Sequence, residues 1–225
     1  LLGGDNIDLA LAHFIESKLC SESTRLTAKQ WAYLLPRARE IKEKVLSDNY
    51  ISEELNLSLP GEGSSLLAGS LSIQLSREEI TNFVLEGFFS KCDSSSRPKQ
   101  RQQGLTEWGL PYAFDTIITK HLAQFLNGKK VDAVLFTGGS LTAEVIRKRF
   151  IDVLSQWQTG TDMQILENQS FDLAVAHGAA YYSYLKHTQQ QQIESGYAHN
   201  VYLLVETKES KDEKLVCVFP RGFKE

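Results

Sequence analysis

Val134-Leu-Phe-Thr-Gly-Gly-Ser140, entered from the apolar run that begins at Val131 and followed by Val145, Ile146, Phe150 and Leu154, reads as a strand, a glycine turn and a helix. A short apolar run ending at Phe136 suits a buried strand. Glycines at the carboxyl end of a strand let backbone approach a ligand closely, and the next helix offers unpaired N–H groups to it. Read alone, the turn is compatible with a plain tight connection or with a seat for a phosphate or nucleotide.

Downstream, a strand near Met163 to Leu166 and a helix from Asp172 to about Leu185 complete a βαβα unit, which argues for a mainly parallel α/β layer with crossover helices. In Phe171-Asp172-Leu-Ala-Val-Ala-His-Gly-Ala-Ala180 the acid lies at the expected helix start and small residues line one face, suited to close packing. Asp172 is open to two readings, a helix N-cap or a ligand contact. Residues 188–196 are rich in glutamine and read as a linker, and Val201 to Val205 and Leu215 to Phe219 read as strands joined by a charged turn from Lys208 to Lys214.

Upstream, the apolar stripe Ile7, Leu9, Leu11, Phe14, Ile15 and Leu19 predicts a helix from Asp5 to about Cys20. A second helix is expected from Thr27 to about Ser47, with Pro36 breaking or bending its first turns. Leu55, Leu57 and Leu59, then Leu67, Leu71, Ile73 and Leu75, alternate as two strands of a hairpin around Gly61, Gly63 and Ser64. Ser76-Arg-Glu-Glu79 opens a further helix with a capping-box pattern. The polar stretch Asp93 to Gln103 reads as a loop, its Arg97, Lys99 and Arg101 as solvated surface, and Tyr112 to Leu126 as a helix.

Composition narrows the classes. The chain has 225 residues, 42% of them hydrophobic, enough to bury a core. A net charge of -4 gives no general attraction to nucleic-acid backbones, so no nucleic-acid partner is expected. No apolar run approaches the roughly 20 residues that cross a bilayer, so no membrane partner is expected either. Cys20, Cys92 and Cys217 lack paired spacing and suit a reducing, cytoplasmic setting. The histidines show no metal or triad spacing, no nucleophile elbow is present, and His177 reads as a packing residue. Leu1, with no leader-type segment behind it, reads as the start of a piece cut from a longer chain.

Taken together, Leu2-Gly-Gly-Asp-Asn-Ile-Asp8, Arg39-Glu-Ile-Lys-Glu-Lys-Val-Leu-Ser47, Leu75-Ser-Arg-Glu-Glu79, Val134 to Ser140 and Asp172 to Ala180 resemble, in order, the DnaK-type heat-shock chaperone family, in a divergent bacterial form. The resemblance implies an α/β fold: the second lobe of an actin-like ATPase domain, with a ribonuclease H-like core subdomain at 1–19 and 111–187. A helical and β-hairpin subdomain would be inserted at 20–110, and 188–225 would form a linker and the start of a C-terminal β segment.

The same resemblance implies ATP or ADP as ligand, held between the subdomains. Glu40, Lys44 and Ser47 would contact adenosine, and Gly138, Gly139, Ser140 and the neighbouring Thr142 would contact the nucleotide at the turn. Asp172 would lie near the ribose, and Gly3 and Gly4 would border the phosphates. Magnesium, the catalytic lysine and both principal phosphate loops would belong mainly to a lobe preceding Leu1, so the chain alone is expected to hydrolyse no ATP. Partners of the parent would be an unfolded client and a nucleotide-exchange factor or other cochaperone docking on the inserted subdomain.

The departures are local. Leu141-Thr142 stands where the family carries Thr-Arg, removing a planar cation that stacks on adenine, and Glu43 stands where a basic residue is expected. Gly104 to Ala113 has no counterpart in the common chaperones. A pseudo-ATPase interaction scaffold of the same fold, or a sugar-kinase or polyphosphatase relative, are the alternatives.

Overall fold

The structure is a computed structural model and describes residues 2–20, 25–61, 70–99, 114–160, 162–188, 196–197, 199–206 and 213–223. It is a mixed α/β chain whose residues fall into two compact units, Leu1–Ala174 and Val175–Glu225. In the first unit, helix α1 (Gly4–Leu19) lies against helix α2 (Ala28–Leu46). Leu11, Ala12 and Ile15 of α1 and Leu34, Ala38, Ile41 and Val45 of α2 are almost wholly buried in one cluster. Each large apolar side chain so buried contributes about 1.5–3 kcal/mol.

Helix α2 starts where its sequence provides a cap. The hydroxyl of Thr27 accepts from the Gln30 amide at 3.4 Å, and the Gln30 side chain accepts from the Thr27 amide at 3.1 Å. The same Gln30 donates to the Pro60 carbonyl at 3.1 Å, tying the helix to the hairpin. The expected break at Pro36 does not occur: α2 runs unbroken past it. Pro36 and Ala32 lie on the exposed face, where the carbonyl that loses its N–H partner is not sealed in the core, and buried Leu34 and Ala38 hold the flanks.

Strands β1 (Glu54–Leu59) and β2 (Leu71–Ser76) pair antiparallel, with Leu57 opposite Ile73 and Leu59 opposite Leu71. Leu57, Leu59 and Leu75 enter the α1–α2 cluster. Leu67 and most of the expected turn lie outside the described residues. Helix α3 (Arg77–Phe88) follows, its Ser76 hydroxyl accepting from the Glu79 amide at 3.0 Å. A second cluster, made by Ile7, Leu46, Val84, Phe88, Phe89 and Ile146, joins α1, α2 and α3 to helix α5 (Glu144–Trp157).

The helix expected from Tyr112 begins six residues later, as α4 (Ile118–Leu126). Asp115 explains the late start. Its carboxylate accepts from the amides of Ile117 at 3.0 Å and Lys99 at 2.9 Å, a local turn that competes with helix. Strand β3 (Ala133–Leu135) is also shorter than the expected run to Phe136. At Val131 the Gln158 side chain takes both backbone groups, each at 2.8 Å, and at Phe136 the carbonyl accepts from Asn168 at 2.8 Å. Side-chain amides thus replace ladder bonds at both ends. Strand β4 (Gln164–Leu166) pairs parallel to β3, with α5 as the crossover.

The first unit ends in a turn containing Asp172, in which the Ser170 hydroxyl accepts from the Leu173 amide at 3.2 Å, and helix α6 (Ala174–His187) carries the chain into the second unit. Asp172 therefore precedes the helix, which corrects the expected start there. His177 and the small residues of the expected face lie on α6. Strands β5 (Val201–Glu206) and β6 (Glu213–Phe219) form an antiparallel pair. The linker from Gln189 to Glu194, the turn from Lys208 to Asp212, Arg101 and the Gly104 to Ala113 segment lie outside the described residues.

Asp115 generates a measurable pH dependence. Burial opposes its charge, but the amides of Lys99 and Ile117 and the Lys120 ammonium at 3.0 Å outweigh it and hold the carboxyl down at about 2. A carboxyl held below its unfolded value stabilises the fold above that value and loses the effect as pH falls toward 2. Asp115→Asn is expected to cost roughly 2 kcal/mol at pH 7 and to flatten the decline in urea midpoint between about pH 4 and 2. An unchanged decline in tryptophan-monitored unfolding would rule this out.

Candidate functional site

Three chain segments meet in the first unit: the start of α1, the carboxyl half of α2, and the turn after β3. The turn is shaped by its glycines. Gly138 has φ +98°, a conformation that residues with a Cβ rarely adopt, and its amide donates to the Phe171 carbonyl at 3.0 Å. The chain then makes a single 3-10 turn, Gly139–Leu141. The Thr142 hydroxyl donates back to the Gly139 carbonyl at 2.6 Å.

Neighbours hold this turn in place. Arg147 donates to the carbonyls of Leu141 at 2.8 Å and Thr142 at 2.5 Å, and its guanidinium lies 4.9 Å from the Phe171 ring centre. Asp48, just past α2, accepts from the Glu144 amide at 3.3 Å, an acceptor supplied across space to the first turn of α5. A Cβ on Gly4 would stand 3.0 Å from the Ser140 hydroxyl and 3.4 Å from the Lys42 ammonium. A Cβ on Gly139 would stand 3.2 Å from a carboxylate oxygen of Asp172. Both glycines are therefore places where backbone and a polar side chain come close.

Lys42 lies in the joint itself. Its ammonium is 2.6 Å from an Asp8 carboxylate oxygen and donates to the Gly4 carbonyl at 3.4 Å, with the side chains only 9% and 7% exposed. Apart from that ammonium, no donor reaches this Asp8 oxygen among the described residues.

Between these segments lies a cavity of about 210 Å³. Ser47, Gly139, Ser140 and Thr142, all singled out by sequence, line it. Gly4 stands against Ser140 and Asp172 lies beside Gly139, but neither Gly4 nor Asp172 is among the lining residues. Gly3 caps the exposed start of α1, and Gly138 shapes the turn from outside the lining. Glu40 and Lys44 are placed elsewhere: with Tyr33, Arg37 and Tyr50 they line a separate hollow of about 490 Å³ between α2 and β1. Glu40 pairs with Arg37 at 2.7 Å, and the Lys44 ammonium lies 5.6 Å from the Tyr50 ring centre.

In the cavity their place is taken by Lys42 and Glu43, neither of which sequence reasoning had chosen as a site residue. Lys42 carried a readable signal. It falls on the apolar stripe of Ala38, Ile41, Val45 and Leu46, as Asp8 falls on that of Ile7, Leu11 and Ile15. Opposite charges on two buried stripes mark an interhelical pair. No protein-family model matches the chain, and a comparison with curated proteins found no match.

Lys42→Ala leaves a buried carboxylate unpaired and is expected to cost about 3–5 kcal/mol in urea unfolding. The double variant Asp8→Leu, Lys42→Met is expected to recover most of that loss. A single variant as stable as the parent chain would show that the pair does not hold the joint.

Proposed function

We propose that this chain is the adenosine-holding lobe of an actin-like, DnaK-type chaperone ATPase, with ADP or ATP as its ligand. The observation that carries this reading is the convergence of Ser47 from one subdomain-sized helix with Gly139, Ser140 and Thr142 from a glycine turn onto a single cavity. At about 210 Å³ it is smaller than the ligand clefts of about 300–1,000 Å³ that enclose whole drug-sized molecules. It suits one part of a nucleotide, with the remainder outside. Its floor is apolar (Ile7, Leu46, Ala143 and Ile146) and its rim carries hydroxyls, the composition of a nucleoside site.

Hydrolysis in such a family depends on a metal-neutralised phosphate chain and a positioned water. Among the described residues no cluster of three or more His, Cys, Asp or Glu has the arrangement to hold a metal ion. Magnesium is assigned no residue of this chain. The client, the exchange factor and a cytoplasmic stress role accompany the chaperone reading as parts of the same proposal. No described helix is long and apolar enough to cross a membrane.

One observation favours the second reading, a nucleotide-independent scaffold of the same fold. Glu43 lines the cavity and Thr142 offers no planar cation, so a phosphate-bearing ligand meets a carboxylate there. Titration calorimetry separates the two. The adenosine reading expects ADP binding that Ser47→Phe abolishes by filling the cavity while leaving the thermal midpoint in place. It also expects Glu43→Lys to tighten ADP by roughly tenfold, as one repulsion becomes one attraction. Absence of ADP binding favours the scaffold. In either case, phosphate release from ATP is expected to stay at the level of a heat-killed control.

A further inference from the structure

The hollow of about 490 Å³ between α2 and β1 has two dissimilar walls. One is a single face of α2, where Tyr33, Arg37, Ile41 and Lys44 follow one another at intervals of about one turn. The other is continuous chain, every residue of β1 from Glu54 to Ser58. Side chains of a strand alternate between its faces, so consecutive residues border one space only along the strand's edge. Among the described residues β1 pairs with β2 alone, which leaves that edge without a strand.

The ladder fixes which groups the edge offers. By continuation of the register Glu53 lies opposite Arg77, and its carbonyl accepts from the Arg77 amide at 2.8 Å. Hydrogen-bonded pairs alternate along an antiparallel ladder, so Leu55, Leu57 and Leu59 bond to β2, while Glu54, Asn56 and Ser58 turn their backbone groups toward the hollow. The Glu54 carbonyl agrees: it accepts from the hydroxyls of Ser52 at 2.8 Å and Tyr50 at 3.3 Å, both of which line the hollow. At the other end Pro60 has no N–H to offer. The open stretch is therefore Asn56 and Ser58. Sheet edges are normally guarded by charge, proline or a covering element, and an unguarded edge is a template for an added strand.

Charge selects the occupant. Arg37 and Glu40 pair with each other at 2.7 Å, and Glu54 accepts from the Gln74 side chain. Lys44 is the fourth charged lining residue: it is exposed, its ammonium lies 5.6 Å from the Tyr50 ring centre, and it pairs with no carboxylate among the described residues. Between the two ends the walls carry Ile41, Leu55 and Leu57. Gln30, near the start of α2, bonds the Pro60 carbonyl, so α2 and β1 run in opposite directions and Lys44 stands toward the Glu54 end.

We propose that the free edge of β1 takes an extended segment of a partner protein as an added strand. The backbone groups of Asn56 and Ser58 hold it, its apolar side chains meet Ile41 and Leu57, and an acidic side chain meets Lys44. This seat is separate from the cavity at the glycine turn and independent of any nucleotide.

Selection of short random peptides displayed on phage against the whole chain, followed by amide hydrogen exchange with the selected peptides, tests it. The peptides are expected to carry an aspartate or glutamate beside alternating apolar residues and to slow exchange at Asn56 and Ser58 by about tenfold or more. Asn56→Pro is expected to abolish binding with little change in thermal midpoint, because its N–H faces away from β2. Lys44→Glu is expected to weaken binding by about tenfold, one attraction becoming one repulsion. Should Asn56→Pro unfold the chain, exchange at Asn56 and Ser58 in the parent chain still decides. The proposal is overturned by a selection that enriches nothing, by peptides that leave those two amides unprotected, or by binding that is indifferent to Lys44→Glu.

Discussion

The buried pair between Asp8 and Lys42 is the constraint from which the rest of the first unit follows. Removing two charges from water costs several kcal/mol per ion, and only close contact offsets it. At 2.6 Å the two helices have contact, but a one-residue slip of either would leave a charge in the core. The pair stands between the two apolar clusters, with Ile7 of one and Leu11 of the other on either side of Asp8. It therefore sets the register of α1 on α2. With that register fixed, Gly4 lies against Ser140, and the last turn of α2 faces the glycine turn.

The turn is preorganised by groups that do not line the cavity. Arg147 holds two of its carbonyls, Gly138 supplies the backbone geometry, and Asp48 supplies an acceptor to the helix that follows. Such support leaves the Ser140 hydroxyl without a structural duty to the turn, whereas the Ser47 hydroxyl accepts from the Asn49 amide at 3.4 Å just past α2.

Element types were legible because the periodicities are strong and the local chemistry agrees with them: Thr27 and Gln30 form the cap their spacing suggests, and β1 and β2 pair in the alternation of their leucines. Boundaries were less legible where side chains compete with the backbone. Asp115 delays α4, Gln158 and Asn168 shorten β3, and a serine turn carries Asp172 outside α6. None of these is a propensity effect, and each depends on a partner distant in sequence or on a local polar turn. In the site, the residues on the glycine turn could be read directly, since a turn presents a continuous stretch. Those on α2 could not, because a helix distributes neighbouring positions over different surfaces.

That distribution is what gives α2 its two chemically distinct surfaces. Glu40 and Lys44, one turn apart, face the hairpin hollow, where Arg37 and Tyr50 already engage them. Glu43 and Ser47, also one turn apart, face the glycine turn. The shift between the two pairs is three residues, and it changes the surroundings from aromatic rings to hydroxyls and glycine backbone. The hairpin face presents the rings of Tyr33 and Tyr50 with two cations, Arg37 and Lys44, and two acids, Glu40 and Glu54. A ligand at the glycine turn finds an acid, hydroxyls and an apolar floor, while the one cation there is held by Asp8. The difference is set by helix geometry alone, since positions three apart on α2 turn to different neighbours while each keeps its own ion pair, Glu40 with Arg37 and Glu43 with Arg39.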